Sequence, residues 1–509
     1  MPRETVLPGH EVRAEDAEVV DAALEVLLDA SLDPIVDMVL TRRDGAYEAL
    51  THDGRVRFQR DDERGTFEVL AVEGANPLAD QSTDKFTPLA AEQALPYPHR
   101  SANAYPYAFE QIAQLYDSPS APDLCVIHSA AHNWEDQGGH LGEHGSIGVV
   151  QARAPFVIAG KGVRRDGLVP RSGRLVDVAP TIAALLGAAP LDDDGRYFGV
   201  QDGVVRDDVI DITDGRPRHV IGFLFDGTNP NVLYQMAASG EAPNVARLME
   251  MGTAYAHGAM AGLPTVTLAN HTSIITSALP GHHGILHNAW YDRASGKQVI
   301  TNSPATWPNA MALLGPNVDT IHDVVHRTWP DAFSVSVNEP CDTRADYSTF
   351  DFMRRGDVPP LPAAPDGLPF VTERFVRPSK DYSWSSVVDH MCVEQALGIL
   401  SGHYRDVSYP VAPTFMWVNF TLTDAAMHEG GPYSEMAAAS IRDSDGRVGA
   451  VLDATQQAGI FDDCAFLLVA DHGMEQNDRS CQGDWDVPLR EAGFKFRDEG
   501  YGFLYFGVQ

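Results

Sequence analysis

Five short apolar runs that end abruptly in polar residues constrain the fold of this chain more than any other feature. They are rich in β-branched and aromatic residues and lie at 123–128, 155–160, 219–227, 413–420 and 464–473. Such runs are typical of strands buried on both faces of a parallel sheet. Helical patterns occur between them, at 15–27, 176–186 and 242–251. The sequence therefore predicts an α/β fold, with a doubly wound, mostly parallel central sheet flanked by helices and a site beyond the carboxyl ends of the strands.

Composition changes at two places along the chain. The stretch 203–217 divides an N-terminal part, 1–202, from a motif-rich part, 218–509. The stretch 354–369 is rich in Pro, Gly and Asp and is predicted to be a surface loop. It falls within 290–405, which we expect to be an insertion that caps the site.

Charge excludes two classes of partner. The chain has 37 Lys and Arg against 71 Asp and Glu, a net charge of −34. Nucleic-acid polymers and anionic membranes bind clustered Lys and Arg, so both are predicted to be poor partners. A small anionic substrate would need local positive charge, such as bound metal.

Cellular location is predicted from what the sequence lacks. No apolar run approaches the about 18 residues of a membrane span, and the first residues do not resemble a secretory signal. Five cysteines are scattered singly, without a C-x-x-C pair. We therefore expect a soluble, cytoplasmic protein, and its oligomeric state is left open.

Acidic and histidine side chains follow three of the apolar runs. They are Asp226, the pair Asp424 and His428, and the pair Asp471 and His472. A spacing of four residues puts Asp424 and His428 on one face of a helix. Each pair alone is more often structural, but carboxylates and imidazoles together at strand ends of one sheet favour a centre of two metal ions, for which Zn²⁺ is a natural occupant.

A centre of two metal ions needs about three protein ligands for each ion, and these motifs supply five. His144, in the Gly-Glu-His-Gly stretch of the N-terminal part, is our candidate for the sixth. His140 is the competing candidate, and His128 and His132 are more distant alternatives.

Two threonines, Thr265 and Thr267, directly precede a predicted helix at 268–278. A hydroxyl at a helix start usually caps the helix. The same position aims backbone N–H groups and the positive end of the helix dipole at whatever that hydroxyl attacks, which suits a phosphoryl group. The two roles are compatible.

Six motifs resemble the alkaline-phosphatase superfamily, and within it the nucleotide pyrophosphatase/phosphodiesterase (type I phosphodiesterase) family and its relative phosphonoacetate hydrolase. The motifs are FDG at 225–227, PTVTLANH at 264–271, PGHHGI at 280–285, NAWYD at 288–292, DAAMH at 424–428 and DHGMEQ at 471–476. The resemblance covers most of 120–190 and 215–300, with islands at 413–433 and 464–476.

This resemblance implies a role for each candidate residue. Thr267 would be the nucleophile, and Asn288 would bind a phosphoryl oxygen. Two divalent ions, most simply Zn²⁺, would be the cofactors. The first ion would be held by Asp226, Asp471, His472 and Thr267, and the second by Asp424, His428 and His144.

The order of the motifs departs from that family. There, the histidine equivalent to His144 follows the DHG motif, whereas here it precedes Asp226. The simplest interpretation is a circular permutation of one catalytic domain, 1–509, in which 1–202 is equivalent to the usual C-terminal part and 203–217 joins the old termini. A partial duplicate domain followed by a catalytic one is the alternative.

The predicted function is hydrolysis of phosphodiester or pyrophosphate bonds in small, anionic, nucleotide-like substrates through a phosphothreonine intermediate. Cleavage of a carbon–phosphorus bond, as in phosphonoacetate hydrolase, is one alternative. An inactive, metal-binding member of the family is the other.

Overall fold

The computed structural model describes residues 9–61, 64–133, 139–303, 305–355, 380–410 and 412–508. Its strands, in chain order, are β1 (Val36–Arg43), β2 (Ala46–Thr51), β3 (Gly54–Asp61), β4 (Thr66–Gly74), β5 (Leu124–His128), β6 (Gly142–Glu143), β7 (Arg153–Ala154), β8 (Phe156–Gly160), β9 (Gly167–Val169), β10 (Gly173–Arg174), β11 (His219–Phe225), β12 (Gly252–Tyr255), β13 (Ala259–Met260), β14 (Ala289–Asp292), β15 (Lys297–Ile300), β16 (Ser334–Val337), β17 (Tyr347–Ser348), β18 (His403–Tyr404), β19 (Val407–Ser408), β20 (Phe415–Phe420), β21 (Cys464–Val469), β22 (Glu475–Gln476), β23 (Phe496–Glu499) and β24 (Phe503–Phe506). Its α-helices are α1 (Ala17–Leu27), α2 (Leu89–Ala94), α3 (Ala108–Tyr116), α4 (Val149–Ala152), α5 (Val178–Leu186), α6 (Pro230–Ser239), α7 (Pro243–Met251), α8 (Thr267–Thr276), α9 (Pro280–His283), α10 (Ile321–Thr328), α11 (Thr349–Arg355), α12 (Lys380–Leu400), α13 (Leu422–Gly430), α14 (Glu435–Gln457) and α15 (Asp486–Glu491).

The central sheet has eight strands in the order β17-β16-β20-β11-β21-β8-β12-β9. Strand β11 runs parallel to both of its neighbours, with Val220 opposite Phe415 of β20 and Ala465 of β21. The predicted α/β fold with a mostly parallel central sheet is confirmed. The exception is β8, which runs antiparallel to β21 and to β12. A continuous apolar run indicates burial but not direction, so the sequence could not reveal this reversal.

Helices flank both faces of this sheet, as predicted. Along β11, Ile221, Phe223 and Phe225 belong to a core shared with helices α6, α7, α12 and α14. Val220 and Leu224, on the opposite face, belong to a core shared with α5, α8 and α10. This alternation is the two-residue period of a strand buried on both sides.

A second, antiparallel sheet of seven strands corrects the interpretation of the run at 123–128. That run forms β5, which was predicted to be a parallel strand but pairs antiparallel with β1 and β24 in the order β23-β24-β5-β1-β2-β3-β4. Its partners lie at distant positions in the chain. Burial against helix α3 makes β5 as apolar as a strand of a parallel sheet.

The two parts of the chain share both sheets. The N-terminal part contributes β8 and β9 to the central sheet and β1–β5 to the second, whereas the C-terminal part contributes β23 and β24 to the second. Within the predicted cap, 290–405, strands β16 and β17 belong to the central sheet. Strands β16 and β17 are therefore part of the central sheet and not of a cap. For the rest of 290–405, the capping role stays a prediction. Most of the loop predicted at 354–369 lies outside the described residues.

Across the described ranges, no helix combines the length and the apolar character that crossing a membrane requires. The compartment stays a prediction.

Candidate active site

The candidate residues lie at one edge of the central sheet, where parallel strands β11, β20 and β21 end. Asp226 directly follows β11, and Asp471 comes two residues after β21. Asp424 and His428 lie on α13, which begins two residues after β20. Because the carboxyl ends of neighbouring parallel strands meet at the same edge, these side chains converge.

The first group consists of Asp226, Asp471 and His472, whose ligand-type atoms all lie within 4.8 Å of one another. Nε2 of His472 is 3.2 Å from Oδ2 of Asp471 and 3.9 Å from Oδ1 of Asp226. All three side chains are buried. The backbone N–H of Gly227 donates to Oδ1 of Asp471 at 3.0 Å, which orients that carboxylate.

The second group consists of His144, Asp424 and His428, and it unites the two parts of the chain. Nε2 of His428 lies 3.0 Å from Nε2 of His144 and 3.4 Å from Oδ1 of Asp424. The ring of His144 stacks on the ring of His472 with centroids 3.6 Å apart. The two groups therefore adjoin.

Backbone carbonyls set the tautomer of all three imidazoles. The Nδ1 contacts are His144 to Thr265 at 2.8 Å, His428 to Gly142 at 2.8 Å and His472 to Gly473 at 2.9 Å. A carbonyl oxygen only accepts hydrogen bonds, so Nδ1 carries the proton in each ring. With Nδ1 protonated, Nε2 is the ring nitrogen that faces the carboxylates and can offer a lone pair to a metal ion.

Several atoms of these groups are buried without a hydrogen-bond partner among the described residues. They are Oδ1 of Asp226, Oδ1 of Asp424, Oδ2 of Asp471 and Nε2 of His472. Buried polar atoms are nearly always paired, so this concentration in one place points to a ligand. Carboxylate oxygens and imidazole nitrogens are ligands that suit Zn²⁺.

Electrostatics give the same indication. Burial, and then the charges of Asp471 and Asp424, raise the pKa of Asp226 well above its ordinary value. Burial, and then His472 and His428, hold the pKa of His144 well below its ordinary value. A divalent cation among these side chains would offset the repulsion between carboxylates and suit the neutral imidazole.

Thr267 is the first residue of α8, and Val266 takes the N-cap position without a side-chain cap. The hydroxyl of Thr267 therefore does not cap its helix. Thr265 has a different role, because its hydroxyl donates to the carbonyl of Ser146 at 2.8 Å and accepts from the N–H of Gly145 at 2.9 Å. These bonds tie the start of α8 to the segment that carries His144.

A cavity of about 210 Å³ brings Thr267 and Asn288 together with the second group. Its walls include His144, Asp424 and His428. Oδ1 of Asn288 is buried without a hydrogen-bond partner among the described residues, although the backbone N–H of Asn288 donates to Nδ1 of His287 at 2.8 Å. The amide of Asn288 is thus available to a molecule in the cavity.

Of the competing histidines, His140 also lies beside His428, with which Glu143 and His140 form a third group of ligand-type atoms within 4.8 Å of one another. Nδ1 of His140 lies 3.5 Å from Oε1 of Glu143, and Oε2 of Glu143 lies 3.7 Å from Nδ1 of His428. His128 lines the cavity but has its Nδ1 3.0 Å from the carbonyl of Ser129. Nε2 of His132 lies 2.9 Å from the carbonyl of Gly483. His144 is the candidate whose Nε2 faces Asp424 and His428.

Two supporting carboxylates were not predicted from the sequence. Asp389, on α12, accepts from the N–H groups of Thr421 at 2.7 Å and Leu422 at 3.1 Å, so it caps the helix that carries Asp424. Oε2 of Glu339 lies 2.8 Å from Nδ1 of His271, and Nε2 of the same ring lies 3.6 Å from Oδ2 of Asp471. Each contact joins residues more than thirty positions apart, so no local pattern in the sequence could indicate it.

The sheet order and the strand-end groups define an α/β protein with a candidate site for metal ions. The chain belongs to the type I phosphodiesterase / nucleotide pyrophosphatase family, whose profile matches residues 220–509. His144 precedes the matched residues.

Individual relatives match shorter stretches. Alkaline phosphatase PafA of Elizabethkingia meningoseptica is 34% identical over 91 residues, which cover 18% of this chain and 17% of that protein. Ectonucleotide pyrophosphatase/phosphodiesterase family member 3 of Mus musculus is 24% identical over 262 residues, which cover 50% of this chain and 25% of that protein. The solved structure of phosphonoacetate hydrolase from Sinorhizobium meliloti 1021 with phosphonoformate aligns at a TM-score of 0.33 and 19% identity, covering 52% of this chain and 59% of that chain. The chain spans about a quarter or less of the length of the curated relatives it matches.

Proposed function

We propose that this protein is a hydrolase of phosphodiester or pyrophosphate bonds that works with two divalent ions and a threonine nucleophile. The observation that carries the proposal is a cavity lined by Thr267, Asn288 and the second Asp/His group, which the first group adjoins through the stacked rings of His144 and His472. Membership of the type I phosphodiesterase / nucleotide pyrophosphatase family supports the same reaction class.

The donor atoms fit two metal ions of the zinc type. Asp226, Asp471 and His472 would hold the first ion together with the hydroxyl of Thr267. His144, Asp424 and His428 would hold the second. When bound, the ions supply positive charge that favours the ionised form of a neighbouring hydroxyl and attracts phosphate to an acidic protein.

Thr267 carries out the bond exchange. Its hydroxyl loses a proton to solvent, and Oγ1 attacks phosphorus while the bond from phosphorus to the leaving oxygen breaks. The leaving oxygen departs with the electron pair. Water then attacks the phosphothreonine, the bond from phosphorus to Oγ1 breaks, and the threonine is regenerated.

Two further groups stabilise negative charge on the phosphoryl oxygens. Asn288 would donate from its side-chain amide, because this residue lines the same cavity as Thr267. The first turn of α8 presents backbone N–H groups and the positive end of the helix dipole beside Thr267. Donors placed in advance around developing charge are worth about 3–4 kcal/mol each in comparable sites.

An apolar cavity within the predicted cap supports a nucleotide-like substrate. It measures about 100 Å³, and its walls include Trp307, Trp384, Phe350 and Arg405. Nε1 of Trp307 donates to Asn302 at 3.1 Å, and Asn302 lines the cavity of Thr267. Aromatic walls with a nearby guanidinium suit a planar, apolar group carried by an anionic ester.

We also infer a single, circularly permuted catalytic domain. Support comes from His144, which meets Asp424 and His428 although it precedes the residues that match the family. The alternative, a partial duplicate domain followed by a catalytic domain, does not explain why that histidine lies beside Asp424 and His428.

The test compares metal-loaded wild type, Thr267→Ala and Thr267→Ser on three substrates: a nucleotide 5′-phosphodiester, a simple phosphate monoester and phosphonoacetate. We expect preference for the diester, loss of hydrolysis in Thr267→Ala and partial retention in Thr267→Ser, which keeps a hydroxyl. Acid quenching should trap phosphate on Thr267 of the wild type. Preference for phosphonoacetate would assign the protein to carbon–phosphorus cleavage, and hydrolysis by Thr267→Ala would refute the nucleophile.

A further inference from the structure

Glu92 is a buried carboxylate in the N-terminal part of the chain. It lies on the short helix α2, outside residues 220–509 that match the family, and only 3% of its surface is exposed. It is not one of the candidate ligands. A carboxylate is costly to bury, so its partners indicate what it does there.

Three donors from the C-terminal part meet on this carboxylate. Oε1 accepts from Nδ2 of Asn229 at 2.6 Å and from the hydroxyl of Tyr433 at 2.6 Å. Oε2 accepts from Nδ2 of Asn231. Burial raises the pKa of Glu92, and the three donors act in the opposite direction because they favour the ionised form.

Each of these partners belongs to a segment that carries candidate ligands. Asn229 and Asn231 lie in the turn that follows Asp226 and starts α6. Tyr433 comes five residues after His428, just beyond the end of α13. Nδ2 of Asn229 also donates to the carbonyl of Met474, two residues after His472, at 3.1 Å.

The amide of Asn229 cannot be reversed. Its Oδ1 already accepts from the backbone N–H groups of Asn231 at 3.0 Å and Val232 at 3.1 Å, which caps α6. Its Nδ2 is therefore committed to Glu92 and Met474, so one carboxylate connects all three strand-end segments of the site.

We propose that Glu92 is a positioning residue that holds the three segments carrying Asp226, His428 and His472 in register for metal binding. The proposal rests on the proposed function only in requiring that these groups bind metal. Glu92 acts through its partners, because none of its contacts is with a candidate ligand. It also gives the N-terminal part a second role in the site besides supplying His144.

The side-chain chemistry makes glutamate specific at this position. Glutamine has the same shape but replaces one acceptor oxygen by an NH₂ group, which would face a donor of Asn229, Asn231 or Tyr433. A buried donor left without an acceptor is unfavourable, and the segments relax to relieve it. Loss of a residue that hydrogen-bonds a metal ligand directly typically weakens metal binding about 10- to 100-fold, and we expect an effect of that size because Glu92 supports three candidate ligand segments at once.

The experiment measures metal retention in the full-length, zinc-loaded protein, without any substrate. Zinc content is determined for wild type, Glu92→Gln and Tyr433→Phe, and the rate of zinc transfer to a coloured chelator is then followed for each. We expect wild type to hold two ions, Glu92→Gln to lose them about 10- to 100-fold faster, and Tyr433→Phe, which lacks one bond, to lie between. Melting temperatures of the metal-free forms are recorded in parallel.

Asp445→Asn is the matched control. Asp445 is buried and accepts from the N–H groups of Asn244 at 2.9 Å and Val245 at 2.8 Å, so it resembles Glu92 in burial and donors but caps α7, away from the ligand segments. Its substitution should lower the melting temperature and leave zinc release unchanged.

The outcomes separate the two proposals. A wild type that binds no metal would refute the proposed function. A wild type with two ions whose release rate is the same in Glu92→Gln, even with a lower melting temperature, would show a merely structural glutamate and refute the positioning role. If Glu92→Gln does not fold, Tyr433→Phe decides, because wild-type release from that variant also refutes it.

Discussion

Substitution of Gly227 by alanine should damage the site by a collision that the structure defines. Gly227 follows Asp226 and has a φ of +61°. A Cβ at this position would lie 2.4 Å from Oδ1 of Asp424 and 3.1 Å from its Cα, whereas ordinary contact begins at 3.4 Å. The carboxylate of Asp424 must therefore move by about 1 Å, or the start of α13 must shift with it.

The size of the effect follows from that displacement. Ligand distances in a metal site are held to about ±0.2 Å, so a shift several times larger disrupts binding of the second ion. A misplacement of about 1 Å typically lowers the rate about 100-fold. The left-handed backbone adds about 1–2 kcal/mol of strain to the folded state.

Gly240→Ala separates strain from collision. Gly240 has a φ of +83°, but its added Cβ would meet open space. Zinc content, hydrolysis of a nucleotide diester and melting temperature are measured for both variants. Both should melt at a lower temperature, and only Gly227→Ala should lose the second ion and hydrolyse about 100-fold more slowly. A Gly227→Ala protein that keeps two ions and the rate of Gly240→Ala would refute the placement of Asp424 in the site.

Two further predictions concern histidines. His144→Ala should leave one tightly bound ion per chain by metal analysis, whereas His140→Ala should keep two; the reverse result would make His140 the sixth ligand. Burial alone would lower the pKa of His282, but Asp202 and Asp117 raise it to about 10. The stability from this charge is therefore complete below about pH 6.5 and is lost as the pH rises to about 10. Urea unfolding should show a penalty for His282→Gln of up to about 5 kcal/mol at pH 6.5 that shrinks towards pH 10, and a penalty independent of pH would refute the charged histidine.

Local patterns in the sequence were sufficient for the α/β class, the central strands and the acidic and histidine residues at their ends. Runs such as 219–227 and 464–473 are continuous, apolar and followed directly by functional side chains, so their identity and even their common edge could be predicted. Helices α5, α7 and α8 also begin within about two residues of their predicted starts, because each carries a clear helical period.

Contacts between distant segments could not be predicted in the same way. The antiparallel direction of β8 and the placement of β5 in a second sheet each depend on which segments meet. Residue types and spacing constrain a side chain's chemistry, but they do not specify its partner across more than a hundred residues.

The sequence by itself determined the chemistry available to this protein: carboxylates, imidazoles and a threonine at strand ends and a helix start. Tertiary structure alone shows that His144, one of several histidines the sequence offered, lies against Asp424 and His428, and that Glu92 connects the segments that carry the candidate ligands. The physical reason is that strand and helix formation respond to local periodicity, whereas a metal-type site depends on distances of a few ångströms between residues brought together only when the whole core packs.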